Sequence, residues 1–130
     1  MPFDWTAFID LAALLQVQAA SAANPEAFQR TVVGRAYYGA FGYALDHAVN
    51  YLGYKPKPRR EDDHGGLRDH LKSKRRRNAA ERLDQLRQWR NTADYSRDLD
   101  WQDVSVTVAA AIAKAEEVLV ILPPPRPSRQ

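Results

Sequence analysis

Apolar positions along this chain return every three or four residues, and nowhere do they alternate with polar ones over a strand's length. Trp5, Phe8, Ile9, Ala12, Leu15 and Ala19 form one such stripe and predict a helix over 4–22. Asn24, Pro25 and Glu26 predict the start of a second: a side-chain acceptor for a free N–H, a proline whose missing N–H costs nothing there, and a negative charge at the positive helix end. This helix runs to about 52, and Gly53 stops it. Residues 54–66, YKPKPRREDDHGG, hold two prolines, paired glycines and dense charge, and read as a loop. A short third helix is predicted over 66–74. A fourth spans about 77–96, with Ala79, Leu83, Leu86, Arg90 and Ala93 on one stripe. A fifth spans about 101–122, capped by Asp100, with Val104, Val108, Ala111, Ala115, Val118 and Leu122 along one face. VLVIL near residue 120 is the one β-like run, and it continues that stripe. The prolines of PPPRPSRQ end any helix, so 123–130 is predicted as a flexible tail. The expected fold is all-α: an up-and-down bundle of four to five helices over 1–122, packed around helix two.

Two helices carry polar groups where a core belongs. Helix two is apolar around most of its circumference, yet Arg35, Gly39, Gly42 and Asp46 share a face. Glycine inside a helix costs about 1 kcal/mol relative to Ala, so two of them on one face point to a close neighbour. That neighbour is either another helix, with Arg35 paired to a carboxylate, or a ligand. In helix four, Arg90 sits on the apolar stripe and needs a partner, which Asp94 one turn on can supply. Asn91 and Tyr95 extend the polar group. The cluster is either an ion-pair network fixing helix register or a site for an anion such as phosphate.

Composition narrows the class. With 130 residues, 45% hydrophobic and 27% charged, the chain is sized for one globular domain and is too apolar to be disordered. The net charge of +3 is unevenly spread. Residues 1–54 and 98–130 are each acidic on balance, whereas 55–97 hold fourteen Lys and Arg against seven acids. The block is densest at Lys72, Lys74, Arg75, Arg76 and Arg77. It suits a polyanion such as RNA, a nucleotide or an acidic protein, or it is a solvated loop and helix start; no aromatic residue interleaves it for base stacking. Zero cysteines exclude disulfides, thiolate zinc sites and cysteine nucleophiles, and fit a cytoplasmic protein. No apolar run suits a membrane span, and MPFDW lacks the basic-then-apolar order of a secretory signal. Asp62, Asp63, His64 and His70 lack metal-ligand spacing, so neither metal nor cofactor is expected. His47 is expected at the core edge and His70 in solvent.

Three segments, taken together and in order, resemble a known family. RAYYGAF at 35–41, DDHGGL at 62–67 and RNTADY at 90–95 are similar to the successive motifs of HEPN domains (higher eukaryotes and prokaryotes nucleotide-binding), and the likeness extends over about 5–122. The resemblance implies a HEPN-like bundle, a homodimer, and activity of toxin or defence type on RNA. Many members are metal-independent endoribonucleases. Others pair with a nucleotidyltransferase-type antitoxin or bind nucleotide or RNA without catalysis. Carried onto this chain, the candidate catalytic residues are Arg90, Tyr95, His64 and Asp94. The candidate nucleotide- or RNA-binding residues are Arg35, Tyr38, Asn91, Arg75, Arg76 and Arg77. Catalytic members carry a His four to six residues after the motif Arg; here position 95 is Tyr, and no His follows His70. Arg90 can stabilise a phosphorane, but a tyrosine of ordinary pKa near 10 is a poor base. His64 has the right chemistry if the fold brings it to Arg90.

Overall fold

The computed structural model describes residues 3–19, 21–95 and 101–123, and the side chains of these except at 95 and 101–107. The predicted Asp100 cap and the tail from 124 lie outside the described residues, as does the side chain of Val104. Five helices make up the fold, with no strand among the described residues: α1 (Thr6–Ala19), α2 (Pro25–Tyr51), α3 (Asp63–Ser73), α4 (Arg77–Tyr95) and α5 (Trp101–Ile121).

Local chemistry sets the ends. Asp4 caps α1, accepting from the Thr6 N–H at 3.0 Å and the Thr6 hydroxyl at 2.6 Å, so the helix starts two residues later than its apolar stripe suggested. Asn24 caps α2 as expected, its side chain accepting from Ala27 N at 3.1 Å. Gly53 follows α2 at φ +71°, a left-handed conformation that glycine adopts without Cβ strain. The predicted loop 54–66 ends early. A single 3₁₀ turn covers Arg60–Asp62, and α3 begins at Asp63, so Gly65 and Gly66 are helical. A tertiary latch accounts for this. Buried Asp63 accepts from the Tyr54 hydroxyl at 2.6 Å and from Lys57 N at 2.8 Å. Gly66 leaves the space the latch needs, because a Cβ there would lie 2.8 Å from the Tyr54 oxygen.

The helices form a bundle with α2 at its centre, touching α1, α3, α4 and α5. Val33, Ala36, Ala40, Ala44 and Ala48 of α2 are buried, and they meet Leu83 and Leu86 of α4 and Val108, Ala111, Ala115 and Val118 of α5. The close neighbour of the α2 glycines is α1. A Cβ at Gly39 would sit 2.7 Å from Ile9 Cγ1, and Gly42 lies under the Trp5 ring. Arg35 has no carboxylate partner among the described residues, contrary to the ion pair envisaged for close helix packing. It lies over the Phe8 ring of α1, 5.4 Å from the centroid. The favourable face of the aromatic quadrupole substitutes for a countercharge at this exposed position.

Candidate functional site around His64

The Asp63 latch fixes the first turn of α3 and thereby places His64. The imidazole stacks on Phe41 of α2, centroids 4.3 Å apart and planes 20° from parallel. Its Nδ1 meets the hydroxyl of Tyr37, one α2 turn before Phe41. Tyr37 is buried, and loss of solvent pushes its pKa well above the ordinary 10, so the phenol keeps its proton at neutral pH. Burial also pushes the His64 pKa below its ordinary 6.5, with the charges of Arg87, Arg90 and Arg68 acting in the same direction and Asp63 opposing them. His64 is therefore neutral at pH 7 in a positively charged setting.

The arginines reach this point by helical spacing. Arg68 lies one turn beyond His64 on α3. Arg87, Arg90 and Asp94 share a face of α4 at intervals of three and four residues. The Arg90 guanidinium lies over the Tyr38 ring, 5.0 Å from its centroid, and its Nε is 3.1 Å from Asp94 Oδ2. That N–H is buried and misaligned with the oxygen, so the contact is an ion pair without a hydrogen bond. Arg68 Nε stands 3.7 Å from Asp84 Oδ1. Arg87 has no carboxylate partner among the described residues. Beside His64 lies a cleft of about 330 Å³ walled by Trp5, Tyr38 and Phe41 and edged by Arg60 and Glu61. Tyr38 also borders a second cleft of about 310 Å³ with Arg30, Arg35 and Asp94.

The fold thus brings His64, Tyr38, Arg90 and Asp94 together, with Arg35 just beyond Tyr38. Asn91 is half-buried on α4. Tyr95 closes α4, and its side chain lies outside the described residues. Arg75, Arg76 and Arg77 are elsewhere, at the α3–α4 turn. Arg90 lies thirteen residues after Arg77 along α4, about 20 Å at 1.5 Å per residue. The charge of Arg76 acts on His47, not His64. His47 is half-buried, as expected at a core edge. His70, expected in solvent, is half-buried: its Nε2 lies 2.6 Å from the Leu52 carbonyl and its ring packs on Tyr54. That contact ties α3 to the end of α2, a long-range event that local polarity does not signal.

Sequence reasoning missed Tyr37, Phe41, Arg68 and Arg87 as site residues. The spacings 64/68 and 87/90/94 were available, but the former fell partly in a segment read as loop. No group of three metal-ligating side chains occurs among the described residues. No helix among them is long and apolar enough to cross a membrane.

These features define an all-helical bundle in which one neutral histidine, under the charge of three arginines, borders an aromatic-walled cleft. Comparison with protein-family models, curated proteins and solved structures finds no match for this chain.

Proposed function

We propose that this chain is a HEPN-type protein of toxin or defence type that acts on RNA at the cleft beside His64. One observation carries the reading: a neutral histidine stands under the charge of three arginines beside an aromatic-walled cleft of about 330 Å³. A neutral imidazole can accept the 2′-hydroxyl proton. Arg87 and Arg90, whose charges reach His64, would stabilise charge on a phosphorane. Tyr38, Phe41 and Trp5 offer ring faces for a base, the aromatic component absent from the basic block around Arg75. Such a reaction needs no metal: the 2′-oxygen attacks phosphorus, the bond to the 5′-oxygen breaks, and that oxygen takes a proton. In-line attack puts base and acid on opposite sides of phosphorus, so the reading includes a homodimer whose second copy supplies the acid. A nucleotidyltransferase-type partner fits the same reading.

A second reading is favoured by the Tyr37 contact. A phenol that keeps its proton and donates it to Nδ1 leaves the proton of neutral His64 on Nε2. Nε2 then donates to phosphate and cannot act as a base, which describes a binding module without catalysis. Both readings require RNA binding, measured by anisotropy of a labelled single-stranded RNA. Affinity should fall steeply with salt, and Arg87→Ala should reduce the slope of log K on log salt by about one. No binding at low salt, or an unchanged slope, overturns both.

A further inference from the structure

We propose that a separate cavity, between residues 3–5 and the last two turns of α2, binds an organic cation of the alkylammonium or guanidinium class. The cavity holds about 180 Å³ and lies on the side of α2 that bears His47, beyond Trp5 from the His64 cleft. Four of its walls are aromatic: Phe3, Trp5, Tyr43 and Tyr51. Phe3 meets Trp5 edge to face, centroids 5.0 Å apart, which holds the two rings at a corner. Two carboxylates, Asp4 and Asp46, also line it, with His47 and Asn50. Neither is paired with a Lys or Arg among the described residues. Among the described residues, Asp4 accepts from the Thr6 N–H and hydroxyl.

Ring faces and carboxylates in one small cavity have a common preference, which is a soft, weakly hydrated cation. The rings offer negative quadrupole faces, and the carboxylates supply formal charge. Asp46 is half-buried, and loss of solvent holds its carboxyl above the ordinary range although the Trp5 indole donates a hydrogen bond to it. A cation in the cavity would supply the stabilisation that water no longer gives. His47, at the same wall, is kept neutral by burial and by Arg76, so it adds no competing positive charge at pH 7. A bare metal ion fits less well, because the aromatic walls cannot replace its hydration shell.

The cation has two available sources, a free small molecule and a guanidinium of this chain. Tyr43 donates to the Leu122 carbonyl at 2.6 Å, so the end of α5 meets the cavity wall. The sequence that follows carries Arg126 and Arg129. The test uses the full chain, with the indole N–H resonance of Trp5 followed by NMR. Choline chloride is titrated against 3,3-dimethyl-1-butanol, its neutral isostere, with sodium chloride matching ionic strength. A saturable shift with choline and none with the isostere is expected. Asp46→Asn should weaken choline roughly tenfold, and Tyr51→Ala, which removes an exposed ring, should weaken it several-fold without unfolding the protein. If wild type is silent but Arg126→Ala/Arg129→Ala binds choline, the site stands and the chain's own arginine is its occupant. Silence in both proteins, or equal shifts with the isostere, overturns the proposal.

Discussion

Alanine at two glycines of one helix should change stability in opposite directions. Gly34 and Gly42 both lie inside α2, so each pays the helix-propensity cost of glycine, about 1 kcal/mol relative to alanine. At Gly34 a Cβ meets nothing within 4 Å, so Gly34→Ala should recover most of that and stabilise by about 0.5–1 kcal/mol. At Gly42 a Cβ would lie within 2.5 Å of Trp5 Cγ, closer than real carbon atoms approach. The Trp5 ring must leave. Displacing a packed aromatic ring costs about 3–5 kcal/mol when fully buried. Trp5 is only half-buried, and the propensity gain offsets about 1 kcal/mol, so Gly42→Ala should destabilise by roughly 2–3 kcal/mol. The two variants should therefore differ by about 3 kcal/mol in urea unfolding followed by far-UV circular dichroism. Trp5→Ala supplies the control: in that background Gly42→Ala should become neutral or stabilising. A Gly42→Ala protein as stable as wild type, or the same cost with Trp5 removed, would refute the packing argument.

Other consequences are equally specific. Arg75 holds φ +62° at the end of α3, where Arg76 N bonds to the Leu71 carbonyl at 2.7 Å and Arg75 N to Lys72 at 3.2 Å, a left-handed cap that glycine suits better. Arg75→Gly should raise stability by about 1 kcal/mol, seen as a Tm increase of about 4 °C in a thermal melt. Tyr54→Phe removes one of two hydrogen bonds to the buried Asp63 carboxylate, and should cost about 1.5–3 kcal/mol in the same urea assay. Stability should also depend on His64. Its folded pKa lies below the unfolded 6.5, so the unfolded chain binds the proton more readily, and stability falls as pH drops from about 6.5 toward 5. His64→Gln should flatten that slope; His47 contributes with the same sign and remains in the variant.

The parts of the fold written in local chemistry were legible. Asn24, Pro25 and Glu26 announce α2, and the three-and-four spacing of Leu83, Leu86, Arg90 and Ala93 announces α4. Arg90 and Asp94, a turn apart on one helix, could be paired from sequence alone. The start of α3 could not. Prolines and paired glycines read as a loop, whereas the deciding interactions join Asp63 to Tyr54 and Lys57 and depend on Gly66 being bare. His64 illustrates the same limit. Its ring is placed by Phe41 and Tyr37, more than twenty residues away in sequence, and no local pattern specifies that meeting. Arg87 was hidden by abundance, being one of fourteen basic residues between 55 and 97. Its charge acting on His64 sets it apart, and that is a property of the fold. The conspicuous basic run at Arg75–Arg77 lies a helix length from the cleft.

The most direct test of the proposed RNA-cleaving cleft is incubation of total RNA with wild type, His64→Gln and Arg90→Ala, in EDTA, resolved on a denaturing gel. Wild type should cleave at neutral pH, and each variant should lose at least about 10²-fold in rate, the scale of removing a general base or a transition-state cation. Intact RNA with wild type, or His64→Gln cutting as fast as wild type, would contradict it.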